Sequence, residues 1–166
     1  MSTSISKTTD SPSAAKTILL AGFVAGTLDM LTAILVYSVI MHRVTAMQIL
    51  HSIAGGTFGK KTVGSETTMA LIGLAFHYLI AYSFAIGYFI VYPYIPFLQK
   101  QKIVSGLLYG VFVWAVMNLI VVPLSNANYG PIKWDSALRA AAILMLCIGL
   151  PISLITSKYY AVKNKH

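Results

Sequence analysis

Apolar residues run almost unbroken through four stretches, residues 18–41, 68–92, 103–124 and 137–156, and polar residues collect between them. Each stretch is close to the ~20 residues that an α-helix needs to cross a bilayer core. In hydrocarbon every backbone N–H and C=O must be bonded within its own segment, so all four are predicted as helices. The short connections 93–102 and 125–136 make sequence neighbours antiparallel. The fold class expected is therefore an all-α integral membrane protein, a four-helix antiparallel bundle forming one transmembrane domain over residues 17–157.

The remaining segments are read by the same pattern. Residues 1–16 are rich in Ser and Thr without apolar periodicity, which suits a disordered cytoplasmic tail. Residues 158–166 form a short basic tail. The long loop 42–67 contains Val44, Met47, Leu50 and Ala54 at three-to-four spacing. That spacing predicts an amphipathic helix over 44–54, at the outer interface or folded back between helices, with Gly55 and Gly56 ending it. The first apolar stretch exceeds the 7–15 residues of a signal-peptide core, lacks a small-residue cleavage site and carries Asp29. It reads as a membrane helix of the mature protein.

Composition moves the reading from apolar segments to lipid. The chain has 166 residues, 57% of them hydrophobic and 10% charged, with a mean hydropathy of +0.77. A soluble domain carries roughly 25% charged residues, and a chain this short could not bury so much apolar surface. With the N-terminus inside, Lys7, Lys16, Lys100, Lys102, Lys158, Lys163 and Lys165 face the cytoplasm, against Arg43, Lys60, Lys61, Lys133 and Arg139 outside. Both termini are thus expected to be cytoplasmic. Tyr88, Tyr92, Tyr94, Phe97, Tyr159 and Tyr160 mark one interface, Tyr129 and Trp134 the other.

The net charge of +8 reads as topology determinants and contact with anionic lipid heads. Basic residues divided between two faces make no nucleic-acid module, so no nucleic acid is expected as partner. The segment "GGTFGKKT" has three residues between Gly55 and Gly59, and Lys61 follows Lys60. A phosphate loop needs four residues between its glycines and Ser or Thr after its lysine, so no nucleotide is expected either.

Polar side chains inside the apolar runs are the candidate chemistry. Asp29 falls near the midplane, His77 slightly outward of it, and Asn118 and Arg139 nearer the outer face. Gly22, Gly26, Asp29 and Ala33 lie on one helical stripe, as do Gly73 and His77. Gly106 and Gly110 repeat the small-residue spacing of Gly22 and Gly26, and such stripes let helices approach closely in lipid. Asp29 is therefore expected to face a neighbouring helix. An ionised carboxylate at the bilayer centre costs at least ~2.5 kcal/mol on insertion scales, which calls for a partner. His77 is the first choice and Arg139 the second. Two readings follow: a clamp in which Asp29 bonds His77, Tyr78 or Asn118, or a titratable site for a proton, ion or small polar ligand.

A haem would want a second intramembrane histidine, and a zinc site a third or fourth deep ligand. No serine-hydrolase or H-E-x-x-H motif occurs, and the single cysteine, Cys147, excludes thiol-pair chemistry. No catalytic residue, cofactor or metal is expected. Trp114 reads as core packing. Laying "FHYLIAYSFAIG" over "LRAAAILMLCIG" suggests two weakly related helical hairpins, with His77 opposite Arg139.

Several pieces together carry a resemblance: Gly26-Thr-Leu-Asp29, the Gly73 and His77 pair, Gly106-Leu-Leu-Tyr-Gly110, and Met117-Asn118 followed by Val122-Pro123-Leu124-Ser125. Over roughly residues 17–157 the chain resembles a family of small bacterial inner-membrane proteins with four helices, loosely YagU-like. It departs from that pattern around Lys60–Glu66. The resemblance implies four helices and a bacterial inner membrane, and brings no activity with it. The function expected is a transport or membrane-integrity component with a polar intramembrane site. The alternative is a scaffold or complex subunit that binds itself or another membrane protein through its small-residue faces.

Overall fold

The computed structural model describes residues 13–59, 64–126 and 134–163. Most of the expected N-terminal tail, Lys60, Lys61 and the last three residues lie outside them. Four helices long and apolar enough to cross a membrane are present: α1 (Ala14–Ile40), α3 (Glu66–Tyr94, closing in a 3₁₀ turn at Tyr92–Tyr94), α5 (Lys102–Leu124) and α6 (Trp134–Lys163). Between them lie α2 (Ala46–Phe58) and a single turn, α4 (Pro96–Lys100). No strand occurs among the described residues. The four-helix membrane bundle read from the apolar pattern is the architecture observed.

The helix ends differ from expectation for physical reasons. α6 runs two turns into the segment expected as a basic tail, because its last turns are anchored by rings. Tyr160 stacks on Tyr92 at 4.9 Å and donates to the Phe89 carbonyl at 3.2 Å, while Tyr159 lies 5.0 Å from Phe89. α1 likewise starts at Ala14, inside the expected N-terminal tail, with Thr17 buried and bonded to the Ser13 carbonyl. α2 continues through Gly55 and Gly56 and stops at Gly59, whose φ of 65° supplies the left-handed residue that ends the helix. Its start is fixed by a capping box, with Gln48 N donating to Thr45 Oγ1 and Thr45 N to Gln48 Oε1.

Three stretches are wound as π-helix: Ile34–Ile40 at the end of α1, Met117–Val121 in α5 and Met145–Gly149 in α6. The last two each end two residues before a proline, Pro123 and Pro151. A proline inside a helix has no N–H to give and its ring crowds the carbonyl four residues earlier. Those carbonyls belong to Leu119 and Cys147, inside the widened turns, and such local unwinding is how membrane helices tolerate proline.

Packing follows the small residues. α1 lies between α3 and α6, α5 packs along α6, and α2 lies on α3. At the α5–α6 crossing the backbones touch: a Cβ built on Gly149 would collide with the Gly106 carbonyl and Gly110 N, and one on Gly110 with Met145. Gly22 and Gly26 play the same part between α1 and α3, beneath Tyr82 and Tyr78. The two hairpins therefore share a small-residue face. Their contacts match Tyr78 and Tyr82 with Met145 and Gly149, about one and a half turns from the register that sets His77 opposite Arg139. Gly73 lets the Leu50 backbone of α2 sit directly on α3.

α5 is joined to α3 by hydroxyls. Tyr88, 2% exposed, donates to Ser153 at 2.8 Å and lies 3.0 Å from Ser105. Ser153 donates onward to the Lys102 carbonyl at 2.7 Å, and Tyr109 donates to the Phe84 carbonyl at 2.8 Å. Ala21, Ala25 and Ala85 are buried with Tyr88, whereas Leu19, Leu31, Leu71 and Leu79 point outward. Small residues inside and large apolar ones outside is the distribution of a bundle whose solvent is lipid.

Three outcomes follow from this packing. Gly149→Val should lower stability in detergent by at least about 2 kcal/mol, because the backbone opposite cannot yield. Gly55→Ala, where an added Cβ meets nothing within 4 Å, should raise it by up to about 1 kcal/mol; size-exclusion profiles after graded heating read both. Tyr88→Phe should cost about 1 kcal/mol in the same assay.

Candidate functional site

Gly22, Gly26 and Asp29 face α3, and the two glycines set the distance. A Cβ at Gly26 would stand 3.0 Å from Tyr78 and 3.2 Å from Ala81. The approach brings the next polar groups of α3 onto the α1 backbone. His77 Nε2 lies 2.8 Å from the Gly26 carbonyl oxygen. A carbonyl only accepts, so Nε2 carries the proton and Nδ1 is left to accept, or to bind a second proton. Asp29 lies three residues beyond Gly26 on the same face, within electrostatic reach of the His77 ring. The two groups predicted to be partners are neighbours.

Their neighbourhood is built from Tyr78, a candidate clamp partner, and from Thr27 and Phe23, which the spacing did not single out. Thr27 Oγ1 and Tyr78 Oη form a hydrogen bond of 2.8 Å beside the pair. The Tyr78 ring stacks on Phe23 at 6.0 Å and meets His77 edge-on at 5.6 Å. Further along, Thr32 Oγ1 lies 3.3 Å from Cys147 Sγ, tying α1 to the widened turn of α6. Tyr78 is therefore engaged by Thr27 and not by Asp29. Asp29 itself is partly buried and makes no hydrogen bond or ion pair among the described residues.

Asn118 and Arg139 do not join them. Asn118 Nδ2 donates to the Trp114 carbonyl one turn back on its own helix, at 2.9 Å. Arg139 Nη2 donates to Asp135 Oδ2 at 2.7 Å and to Ser136 Oγ at 3.2 Å, both one turn earlier on α6. An arginine side chain leans toward the N-terminus of its helix, and there it meets its own acid four residues away. The expected second partner of Asp29 is thus satisfied locally, and of Asp29, His77, Asn118 and Arg139 the first two come together. Trp114 is partly buried, with its Nε1 buried and unpaired among the described residues.

The pair can do limited chemistry. A carboxylate and an imidazole at the middle of a bundle can hold and exchange a proton. Among the described residues no three His, Cys, Asp or Glu side chains come together, and two donors fall short of the three or four that zinc takes from a protein.

Comparison with known proteins gives the chain a family and no activity. No curated protein and no solved structure matches it. The match is not to the YagU-like group that the motifs resemble. It is to the family described as "Conserved membrane protein YqhR", over residues 3–154, which takes in all of α1 to α5 and most of α6. The chain belongs to the YqhR family of conserved membrane proteins.

Proposed function

We propose that this protein is a small transport or membrane-integrity component of the bacterial inner membrane, with both termini in the cytoplasm, and that the Asp29 and His77 pair is its working site. One observation carries the reading: a carboxylate near the middle of a membrane helix has no hydrogen bond among the described residues and faces an imidazole whose Nε2 is already fixed on Gly26. A structural clamp would close the carboxylate with hydrogen bonds. Here the donors within its helix contact are engaged elsewhere, Tyr78 with Thr27 and His77 Nε2 with Gly26.

The packing supports a proton as the species handled. Gly26 sits so close to Tyr78 and Ala81 that a single added side-chain carbon would press on them at 3.0 and 3.2 Å, so a larger solute would have to part α1 from α3. The scaffold reading has less to stand on. Gly22 and Gly26 are covered by α3, Gly106 and Gly110 by α6, and Gly73 by α2, so the small-residue faces that would receive another helix are occupied within the chain.

Purified protein reconstituted in liposomes, with an internal pH dye, tests the proposal. Wild type should dissipate a pH gradient faster than empty liposomes. Asp29→Asn should return the rate to that of empty liposomes while leaving expression and elution position unchanged, and His77→Gln should slow it. Wild-type rates equal to those of empty liposomes at every pH would sink the proposal.

A further inference from the structure

Where α1 gives way to α2, six residues surround an open cavity of about 240 Å³: Ser38, His42, Arg43, Val44, Thr45 and Gln48. The chain reverses there. The Tyr37 carbonyl accepts from Arg43 N at 3.0 Å and Val44 N at 3.4 Å, and His42 takes a left-handed φ of 49°. The reversal places both His42 and Arg43 at the cavity wall. Both residues are exposed, and neither makes a side-chain hydrogen bond or ion pair among the described residues. Of the acids among the described residues, Asp29, Glu66 and Asp135, none lines the cavity. At the α2 terminus Thr45 and Gln48 close each other's backbone N–H groups, and the positive charge among the lining residues is that of Arg43.

The cavity rim is apolar. Val39 and Ile40, on the last turn of α1, are 54% and 65% exposed, and Val44 and Met47 at the start of α2 are 37% and 40% exposed. They carry the outward apolar surface of α1 up to the cavity edge, so an occupant meets a cation and an apolar face within one turn. A guanidinium binds phosphate through a two-pronged fork. Ser38, whose hydroxyl has no partner among the described residues, can add a donor. At about 30 Å³ per water, the volume admits a phosphate group. Free phosphate would leave the apolar rim unused; a phospholipid would cover it with its acyl chains.

We propose that this cavity binds the phosphate group of an anionic phospholipid, independently of Asp29 and His77. Native mass spectrometry of the full chain in mild detergent, titrated with phosphatidylglycerol, phosphatidylcholine or inorganic phosphate, tests it. Phosphatidylglycerol should stay bound in preference to phosphatidylcholine, and inorganic phosphate should not displace it. Arg43→Gln should weaken phosphatidylglycerol binding about fivefold, the worth of one basic residue at an anionic surface, while Lys100→Gln at the opposite end of the bundle leaves it unchanged. Equal binding by Arg43→Gln and wild type overturns the site. Displacement by inorganic phosphate at the lipid's own affinity overturns the lipid as its occupant.

Discussion

Contact of backbone with backbone at glycine is the interaction on which this bundle rests. In lipid, apolar side chains gain nothing by leaving the solvent, so helices hold together by close packing and by hydrogen bonds between them. Gly149 against Gly106 and Gly110 joins α6 to α5, and Gly73 beneath Leu50 seats α2 on α3. Gly22 and Gly26 draw α1 so near α3 that Thr27 reaches Tyr78 and His77 reaches a main-chain carbonyl. Larger residues at these points would move every one of those polar groups out of range. The polar contacts are thus consequences of the glycines and not independent supports.

The four helices were legible because length and apolarity together leave a membrane chain few alternatives. Their ends were less so. Apolarity marks the hydrocarbon, whereas helices continue for as long as rings and capping side chains hold them, as Tyr159 and Tyr160 hold α6. The spacing of Val44, Met47, Leu50 and Ala54 found α2. Its stop was misplaced because a glycine ends a helix only where the backbone turns left-handed, and of the three glycines there only Gly59 does so.

For the candidate site, depth and stripe belong to single helices, and they put Asp29 and His77 at neighbouring levels, where the two interact electrostatically. The Thr27 and Tyr78 bond, and the linkage of Tyr88, Ser105 and Ser153, depend on how two or three helices cross, which no one-dimensional spacing contains. Arg139 is the instructive miss. The acid four residues before it, Asp135, stood in the sequence, and an acid and a base at that spacing meet on a helix surface. The adjacent acid, and not a distant one, satisfies Arg139.

The proline-linked π turns of α5 and α6 bear on how these helices are compared with anything else. A π turn takes in one residue more than an α turn, and one residue is about 100° of rotation. Residues on either side of Met145–Gly149 therefore do not share a face by the ordinary count, and the N-terminal part of α6 is phased separately from the part that carries Ser153 and Tyr160. A helical wheel drawn through the whole of α6 would assign the residues before Met145 to the wrong neighbours. The helix is better understood as two rods with a fixed angular offset, and the offset is written in the sequence as Pro151.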